Sequence, residues 1–180
     1  SLETISDSEE LQVQKTSQKA VELFQQEAQQ LETLGNHPQI PQLFKYFQQG
    51  EQQYLIQEYI EGKNLAQELA EKGVFTEAKI RELLNDLLPV LQFVHKSQVI
   101  HRDIKPENII RRTTGQLVLV DFGAAKLVDK KSLSRTGTVI GSAAYTAPEQ
   151  LMGKAVFASD IYSLGVTCLL YTSPSPRDPN

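Results

Sequence analysis

Three short polar blocks in a fixed order constrain the fold of this 180-residue chain more than any other feature of its sequence. The first block is HRD at 101–103 with an asparagine at 108, the second is DFG at 121–123, and the third is APE at 147–149. The first two follow short apolar runs that are typical of buried strands. One such tripeptide is a weak signal by itself, but three in this order are not expected by chance.

The three blocks resemble the HRD…N, DFG and APE signatures of protein kinases, in the same order. The resemblance covers about residues 16–167 and is closest to the bacterial, eukaryote-like (Hanks-type) serine/threonine kinases. It implies an α+β fold with the two lobes of protein kinases, and transfer of the γ-phosphate of ATP to Ser or Thr hydroxyls of proteins. The implied cofactors are ATP and Mg²⁺ or Mn²⁺, and the implied partner is a protein substrate with Ser or Thr.

The resemblance assigns the central chemistry to four side chains. Asp103 would accept or orient the proton of the substrate hydroxyl, and Lys105 would neutralise charge on the transferred phosphate. A lysine at this position is similar to serine/threonine kinases rather than tyrosine kinases. Asn108 and Asp121 would hold the cation through oxygen ligands, which a hard cation prefers. These residue types suit phosphoryl transfer, because that reaction needs positioning and charge neutralisation more than covalent help.

Glu27 is a residue for which periodicity and resemblance differ. By spacing alone it is a glutamate at the edge of an apolar helical stripe that begins near Thr16. The run around it and the exit that follows (FQQEAQQLETL, then HPQIPQL) are similar to the αC helix of protein kinases. The resemblance implies that Glu27 pairs with the ATP-binding lysine of the preceding strand. Lys15 is the only rival for that lysine, and it lies closer to Glu27 than the family usually allows.

Residues 54–60 (YLIQEYI) are rich in β-formers and predict a strand. The resemblance identifies this strand as the one that leads to the hinge between the lobes. Gln57 would then be the gatekeeper, Glu58 to Ile60 would offer backbone groups to adenine, and Ile110 would form part of the adenine floor. From the residues alone, a plain strand and a core residue remain open.

Residues 124–146 have no strong period and many Ser, Thr and Gly, which predicts a long functional loop. In the family, an arginine before the catalytic aspartate commonly binds a phosphate on this segment through charge-assisted hydrogen bonds, and Arg102 would do so here. Ser134 and Thr136 lie closest to the usual register of phosphorylation. Ser142 replaces the threonine usual in the family, and its hydroxyl would bridge the catalytic aspartate and lysine.

Supporting roles follow from the same resemblance. Asp160 is similar to the aspartate that anchors the backbone of the catalytic loop. His101 would pack and form hydrogen bonds beneath that loop. His95, from its place in a helix and not from the resemblance, is expected to be a packed or surface residue. Glu149 normally pairs with an arginine in helices beyond this sequence, so we expect it to be unpaired.

Apolar periodicity and turn residues predict the other elements. They are helices at 16–34, 64–71, 77–96 and from 159 onward, and strands at 99–100, 109–110 and 117–120.

Composition excludes several classes of protein. The formal net charge is −4 without a long basic run, so charge gives no sign of nucleic-acid binding. No apolar run approaches the ~18 residues that a membrane helix needs. Cys168 is the single cysteine, which excludes an internal disulfide and fits a reducing compartment, so we expect a cytoplasmic location for this part of the protein.

Both ends of the sequence depart from the family pattern. We find no glycine-rich phosphate loop and no convincing strand with the ATP-binding lysine, so we expect residues 1–60 to be a remnant of the N-lobe and 61–167 a partial C-lobe. Residues 168–178 (CLLYTSPSPRD) match the translation of a transposase-adapter read used in DNA library preparation. We therefore predict that 168–180 are a non-native tail, and that the chain alone is inactive and poorly stable.

Two other functions are weighed against a protein kinase. A small-molecule kinase with the same core, such as an aminoglycoside kinase, is disfavoured by Lys105 and by the complete APE block. A pseudokinase or binding scaffold is disfavoured by the intact Asp103, Asn108 and Asp121.

Overall fold

The computed structural model describes residues 18–50, 52–123, 126–127 and 143–172. A 3₁₀ turn at Pro106–Asn108 precedes the strand Ile109–Arg112. In chain order the helices and strands are α1 (Gln18–Leu34), β1 (Leu43–Gln49), β2 (Gln52–Gln57), β3 (Gly62–Asn64), α2 (Leu65–Lys72), α3 (Glu77–Lys96), β4 (Val99–Ile100), β5 (Ile109–Arg112), β6 (Leu117–Leu119), β7 (Lys126–Leu127), α4 (Pro148–Leu151) and α5 (Phe157–Thr172).

Helix α1 and the antiparallel hairpin β1–β2 form the smaller part of the described chain. Ala28 of α1 and Leu55 of β2 are buried against each other, with Leu43 and Tyr46 of β1 packed around them. The sequence predicted α1 to within two residues, but it did not predict β1. A register shift near the start of β1, together with a mixed pattern of exposure, hides the alternation that marks a strand.

Helix α3 is the central element of the larger part. Its buried stripe repeats at helical spacing, which is the pattern that predicted it. Thr76 caps its first turn by accepting the backbone N–H of Lys79 at 3.3 Å. Leu34 and Ile40, from the smaller part, are buried in the same core as this stripe. The two parts of the chain therefore share one continuous apolar core.

Strands β3, β5 and β6 form an antiparallel sheet beside α3, and β4 pairs with β7. Gly62 pairs with Arg112 across this sheet. A Cβ atom at Gly62 would lie 2.0 Å from the carbonyl oxygen of Arg111, so only glycine fits this close approach. The predicted strands at 99–100, 109–110 and 117–120 are present, with β5 two residues longer and β6 one residue shorter than expected.

Helix α5 continues to Thr172, five residues beyond the point where we expected native sequence to stop. Tyr171 is fully buried, its ring centroid lies 4.6 Å from that of Phe75, and its carbonyl accepts the N–H of Phe75 at 2.8 Å. The first proline of the tail is Pro174, two positions after the last residue of α5. The adapter origin of 168–180 stays a prediction.

Within the described ranges, no helix combines the length and the apolar character that crossing a membrane requires.

Candidate active site

Asp103 lies in the loop between β4 and the 3₁₀ turn, where two side chains hold its carboxylate. The Asn108 amide nitrogen donates to the carbonyl oxygen of Asp103 at 2.9 Å and to its Oδ2 at 3.1 Å. Lys105 Nζ lies 3.6 Å from the same Oδ2. The structure therefore brings together three of the four residues to which the resemblance assigned the central chemistry.

The loop is anchored from below by Asp160 of α5, a carboxylate that is fully buried. It accepts the backbone N–H groups of His101 and Arg102, each at 2.9 Å, and His95 Nε2 lies 2.8 Å from its Oδ2. A buried carboxylate is stable in such a position because several donors satisfy its oxygens. Arg102 has a φ of 67°, an uncommon conformation for a non-glycine residue, and these bonds hold it there.

His101 is fixed in one role by its two ring nitrogens. Its Nδ1 accepts the backbone N–H of Asp103 at 3.2 Å, so the proton must be on Nε2, which lies 3.0 Å from the carbonyl oxygen of Val120. The ring also meets Phe122 edge-on, with centroids 4.7 Å apart. Both nitrogens are occupied, so the neutral ring links the loop to the segment that carries Asp121.

Asp121 follows β6 and points its carboxylate away from the core. The residue is exposed, has a φ of 63°, and accepts the backbone N–H of Gly123 at 3.3 Å. Its neighbour Phe122 is fully buried. The N–H of Val120 donates to the carbonyl of Asn108 at 3.0 Å, which ties the segment before Asp121 to the 3₁₀ turn.

Glu27 of α1 enters the same site from the smaller part of the chain. The pKa of its carboxyl group is raised to about 7, first by burial and then by the negative charge of Asp121, while a hydrogen bond from the backbone of Phe122 opposes the shift. A Cβ atom at Gly123 would lie 3.7 Å from Glu27 Oε2 and 3.3 Å from Asp121 Oδ1. The two carboxyl groups therefore flank the same glycine.

A cleft of about 390 Å³ separates the two parts of the chain at this point. It is lined by residues from both sides, including those that the sequence assigned to nucleotide binding: Glu27, Gln57, Glu58, Ile60, Ile110 and Asp121. Glu58 is also ion-paired with Arg112, at 2.6 Å between Oε1 and Nη2, so the wall of the cleft is braced across the two parts.

The side chains that the resemblance assigns to a divalent cation have suitable donor chemistry. Asp121 offers a carboxylate, and the nitrogen of the Asn108 amide is used by Asp103, which directs the amide oxygen elsewhere. In the described ranges, no group of three or more His, Cys, Asp or Glu side chains could hold a metal ion. A cation at this site would therefore also depend on phosphate oxygens, as Mg²⁺ commonly does.

Several sequence predictions have a different outcome. Glu149 was expected to be unpaired for want of an arginine; its Oε1 accepts the hydroxyl of Ser159 at 2.6 Å, which is a hydrogen bond to a neutral group and not the ion pair that the prediction concerned. That hydroxyl is within reach because Ser159 lies in the first turn of α5, a short distance along the chain. Other predicted residues lie outside the described ranges, namely Lys15, Ser134, Thr136 and Ser142.

Sequence reasoning missed four residues that support the site. His95 was expected to be a packed or surface residue without a role at the site, yet it pairs with Asp160. Gln150 donates through Nε2 to the carbonyl of Arg102 at 2.7 Å, and Gln39 contacts Asp86 at 3.0 Å. No motif marks these residues, because each acts through a partner that is distant in sequence.

Comparison with known proteins agrees with this arrangement. The family model described as the protein kinase domain matches residues 8–177 of this sequence. Serine/threonine-protein kinase B of Synechocystis is 48% identical over 169 residues, which are 88% of this chain and 29% of that protein. Serine/threonine-protein kinase C of the same organism is 48% identical over 87% of this chain and 31% of its own length. Serine/threonine-protein kinase PknA of Nostoc is 44% identical over 87% of this chain and 29% of its own.

The chain belongs to the protein kinase domain family. It is most usefully compared with the bacterial serine/threonine protein kinases among these relatives, and it spans about a third of their length. The expected α+β kinase fold and the expected family are thereby confirmed.

Proposed function

We propose that the gene product that carries this chain transfers the γ-phosphoryl group of ATP to Ser or Thr hydroxyls of proteins. The observation that carries this proposal is the arrangement around Asp103, whose side chain is 14% exposed. Asn108 orients this carboxylate and Lys105 stands beside it. The names of the similar kinases support the same substrate class.

In this mechanism Asp103 orients the substrate hydroxyl and accepts its proton. The hydrogen bond from Asn108 fixes the carboxylate, so that it does not have to be ordered during the reaction. Lys105 neutralises negative charge on the phosphoryl group as it moves toward the hydroxyl. A lysine ammonium suits this task, because it carries a compact charge on a flexible stem.

The nucleotide occupies the cleft between the two parts of the chain. Ile110 supports the adenine from below, and the backbone from Glu58 to Ile60 offers it hydrogen bonds beside the gatekeeper Gln57. Asp121 and Asn108 would hold Mg²⁺ or Mn²⁺, which would supply positive charge to the phosphates. Glu27 would complete the site by pairing with the ATP-binding lysine of the strand that precedes α1 in the family.

Regulation of the activity involves Arg102 together with the segment 124–146. Phosphate on Ser134 or Thr136 would bind Arg102 through charge-assisted hydrogen bonds. Burial lowers the pKa of the Arg102 guanidinium, while the charge of Asp160 opposes the shift. The hydroxyl of Ser142 would bridge the catalytic aspartate and lysine. We place the reaction in the cytoplasm, with no role for nucleic acid.

The experiment supplies radiolabelled ATP to the purified full-length gene product with a mixture of proteins, with an aminoglycoside, and with either Mg²⁺, Mn²⁺ or chelator. We expect label on protein serine and threonine, with Mg²⁺ and not with chelator. Label on the aminoglycoside instead would favour a small-molecule kinase. Nucleotide binding without any transfer would favour a pseudokinase or scaffold, and either result contradicts the proposal.

A further inference from the structure

A polar contact joins the segment between α1 and β1 to the larger part of the molecule. Gln39 Nε2 donates to Asp86 Oδ1 of α3 at 3.0 Å, and it lies 3.2 Å from the Asp86 carbonyl and 3.1 Å from the Leu117 carbonyl. The other carboxylate oxygen, Asp86 Oδ2, accepts the backbone N–H of Leu117 at 2.8 Å. We call this pair of side chains, Gln39 and Asp86, the joint.

The backbone strengthens the joint. The N–H of Leu119 donates to the carbonyl of Gln39 at 2.9 Å, so Gln39 contacts β6 through both its side chain and its main chain. Its own N–H donates to His37 Nδ1 at 3.1 Å, and the His37 ring lies 4.5 Å from that of Phe93 on α3. The segment is therefore fixed to α3 and to β6.

The joint lies between two residues of the nucleotide cleft. Helix α1, which carries Glu27, enters the segment that holds Gln39. The joint contacts strand β6, and β6 ends two residues before Asp121. Helix α1 and the segment after β6 also contact each other directly, because Glu27 accepts a hydrogen bond from the backbone of Phe122.

We propose that Gln39 and Asp86 are positioning residues that set the spacing between Glu27 and the Asp121–Phe122 segment. Neither touches the cleft, and each acts through the element that it holds. The expected effect on nucleotide binding rests on the proposed function, but the spacing itself is measured without nucleotide. A merely structural role would lower stability and leave the spacing and its response to pH unchanged.

The most informative variant is Gln39→Glu, because it keeps the shape and replaces an N–H donor by an acidic oxygen. At pH 8 the new carboxylate faces Asp86 Oδ1 and two carbonyl oxygens. These oxygens repel it, so the contact between the side chains at positions 39 and 86 is lost. At lower pH the carboxyl group takes up a proton and donates again, and neighbouring negative charge favours this protonation. Gln29→Glu, at an exposed position of α1, is the matched control.

The first measurement is amide hydrogen exchange of Leu117, Leu119 and Phe122 in the full-length protein without nucleotide, each compared with the parent at the same pH. In Gln39→Glu at pH 8 we expect protection of all three amides to fall by roughly tenfold or more. At pH 6 the protection should return toward that of the parent. The control variant should match the parent at both pH values.

The second measurement is the affinity for ATP with Mg²⁺. We expect Gln39→Glu to bind about tenfold more weakly than the parent at pH 8, a difference of ~1.4 kcal/mol, and the gap to close at pH 6. Should Gln39→Glu fail to fold, Asp86→Asn tests the same joint. The NH₂ group of the new amide then faces the N–H donor of either Leu117 or Gln39, so one of the two hydrogen bonds is lost. That variant should lose protection equally at both pH values.

The outcomes separate the two proposals. A parent protein that binds no nucleotide overturns the proposed function, and the exchange of Phe122 still decides the joint. Loss of protection at Leu117 and Leu119 with Phe122 unchanged would show that the joint does not set the spacing. Unchanged protection at all three amides in both variants would overturn the proposal as well.

Discussion

Glu27 illustrates at the scale of one residue what burial does to a carboxyl group. Burial disfavours its ionised form, and the charge of Asp121 adds to the effect, so the pKa rises from 4.5 to about 7. In the described part of the chain, no ion pair joins Glu27 to a cation. At neutral pH a large share of Glu27 is therefore protonated, and a lysine that reached it would restore the charge.

The raised pKa predicts how stability depends on pH. The folded chain holds the Glu27 proton more tightly than the unfolded chain, so stability falls as the pH rises from 4.5 through about 7. Glu27→Gln removes this loss. We expect the variant to be more stable than the parent by roughly 2–4 kcal/mol at pH 8, with the difference vanishing below pH 4.5. Denaturant unfolding of the 180-residue chain across this range is the measurement.

A control separates Glu27 from the effects of substitution in general. Glu32→Gln changes an exposed glutamate of the same helix and should leave the pH dependence of the parent intact. If Glu27→Gln and the parent show the same slope between pH 4.5 and 7, the raised pKa is wrong.

Helix α5 is the element that fixes the catalytic loop. Its Asp160 is buried and accepts three donors, two of which are backbone N–H groups of the loop. Arg102, which has a positive φ, is held on both sides: its N–H donates to Asp160, and its carbonyl accepts a hydrogen bond from Gln150. The loop therefore takes its shape from α5 and α4 rather than from its own sequence.

We predict that Asp160→Asn destabilises the chain by roughly 3 kcal/mol, since hydrogen bonds to a charged group are lost and one N–H then faces another donor. Asp121→Asn makes the same chemical change at an exposed carboxylate and should not destabilise the chain, since it removes the charge that repels Glu27. Denaturant unfolding of both variants is the comparison. Equal losses in the two variants would contradict the anchoring role of Asp160.

Tyr171, near the end of α5, carries a buried hydroxyl group that destabilises the fold. Its hydroxyl is buried and has no hydrogen-bond partner within the described residues, and burial raises its pKa strongly. Leaving such a group unpaired costs about 1–3 kcal/mol. We therefore expect Tyr171→Phe to raise the melting temperature of the chain, whereas Tyr162→Phe, on an exposed part of the same helix, should not. A lower melting temperature for Tyr171→Phe would mean that the hydroxyl has a partner.

The elements differ in how far their sequences predicted them. Helix α3 was predicted well because its apolar stripe is long and regular, and Thr76 marks its start. Strand β1 was missed because a register shift near Leu43 breaks its pattern. The strand expected at 54–60 ends at Gln57, because the chain then leaves the sheet to line the cleft. Local pattern predicts an element only where tertiary contacts do not interrupt it.

At the scale of the whole molecule, motifs predicted the reactive residues but not what holds them. Asp103, Lys105 and Asn108 were placed together from the first of the three short blocks, and the structure has them in contact. The ties of His95 and Gln39 to their partners were not predictable, because they join residues 65 and 47 positions apart. Those distances are set by packing of the shared core, which no single segment encodes.

The rate of phosphate transfer by Asp103→Asn in the full-length gene product tests the central claim most directly. The variant keeps the shape of the side chain and should still bind nucleotide, but it cannot accept the hydroxyl proton. We expect the rate of labelling of protein serine and threonine to fall by ~10²–10⁴-fold. Glu82→Gln, on the exposed side of α3, should retain the parent rate. Near-parental labelling by Asp103→Asn, with the control also active, would contradict the role of Asp103 and the function built on it.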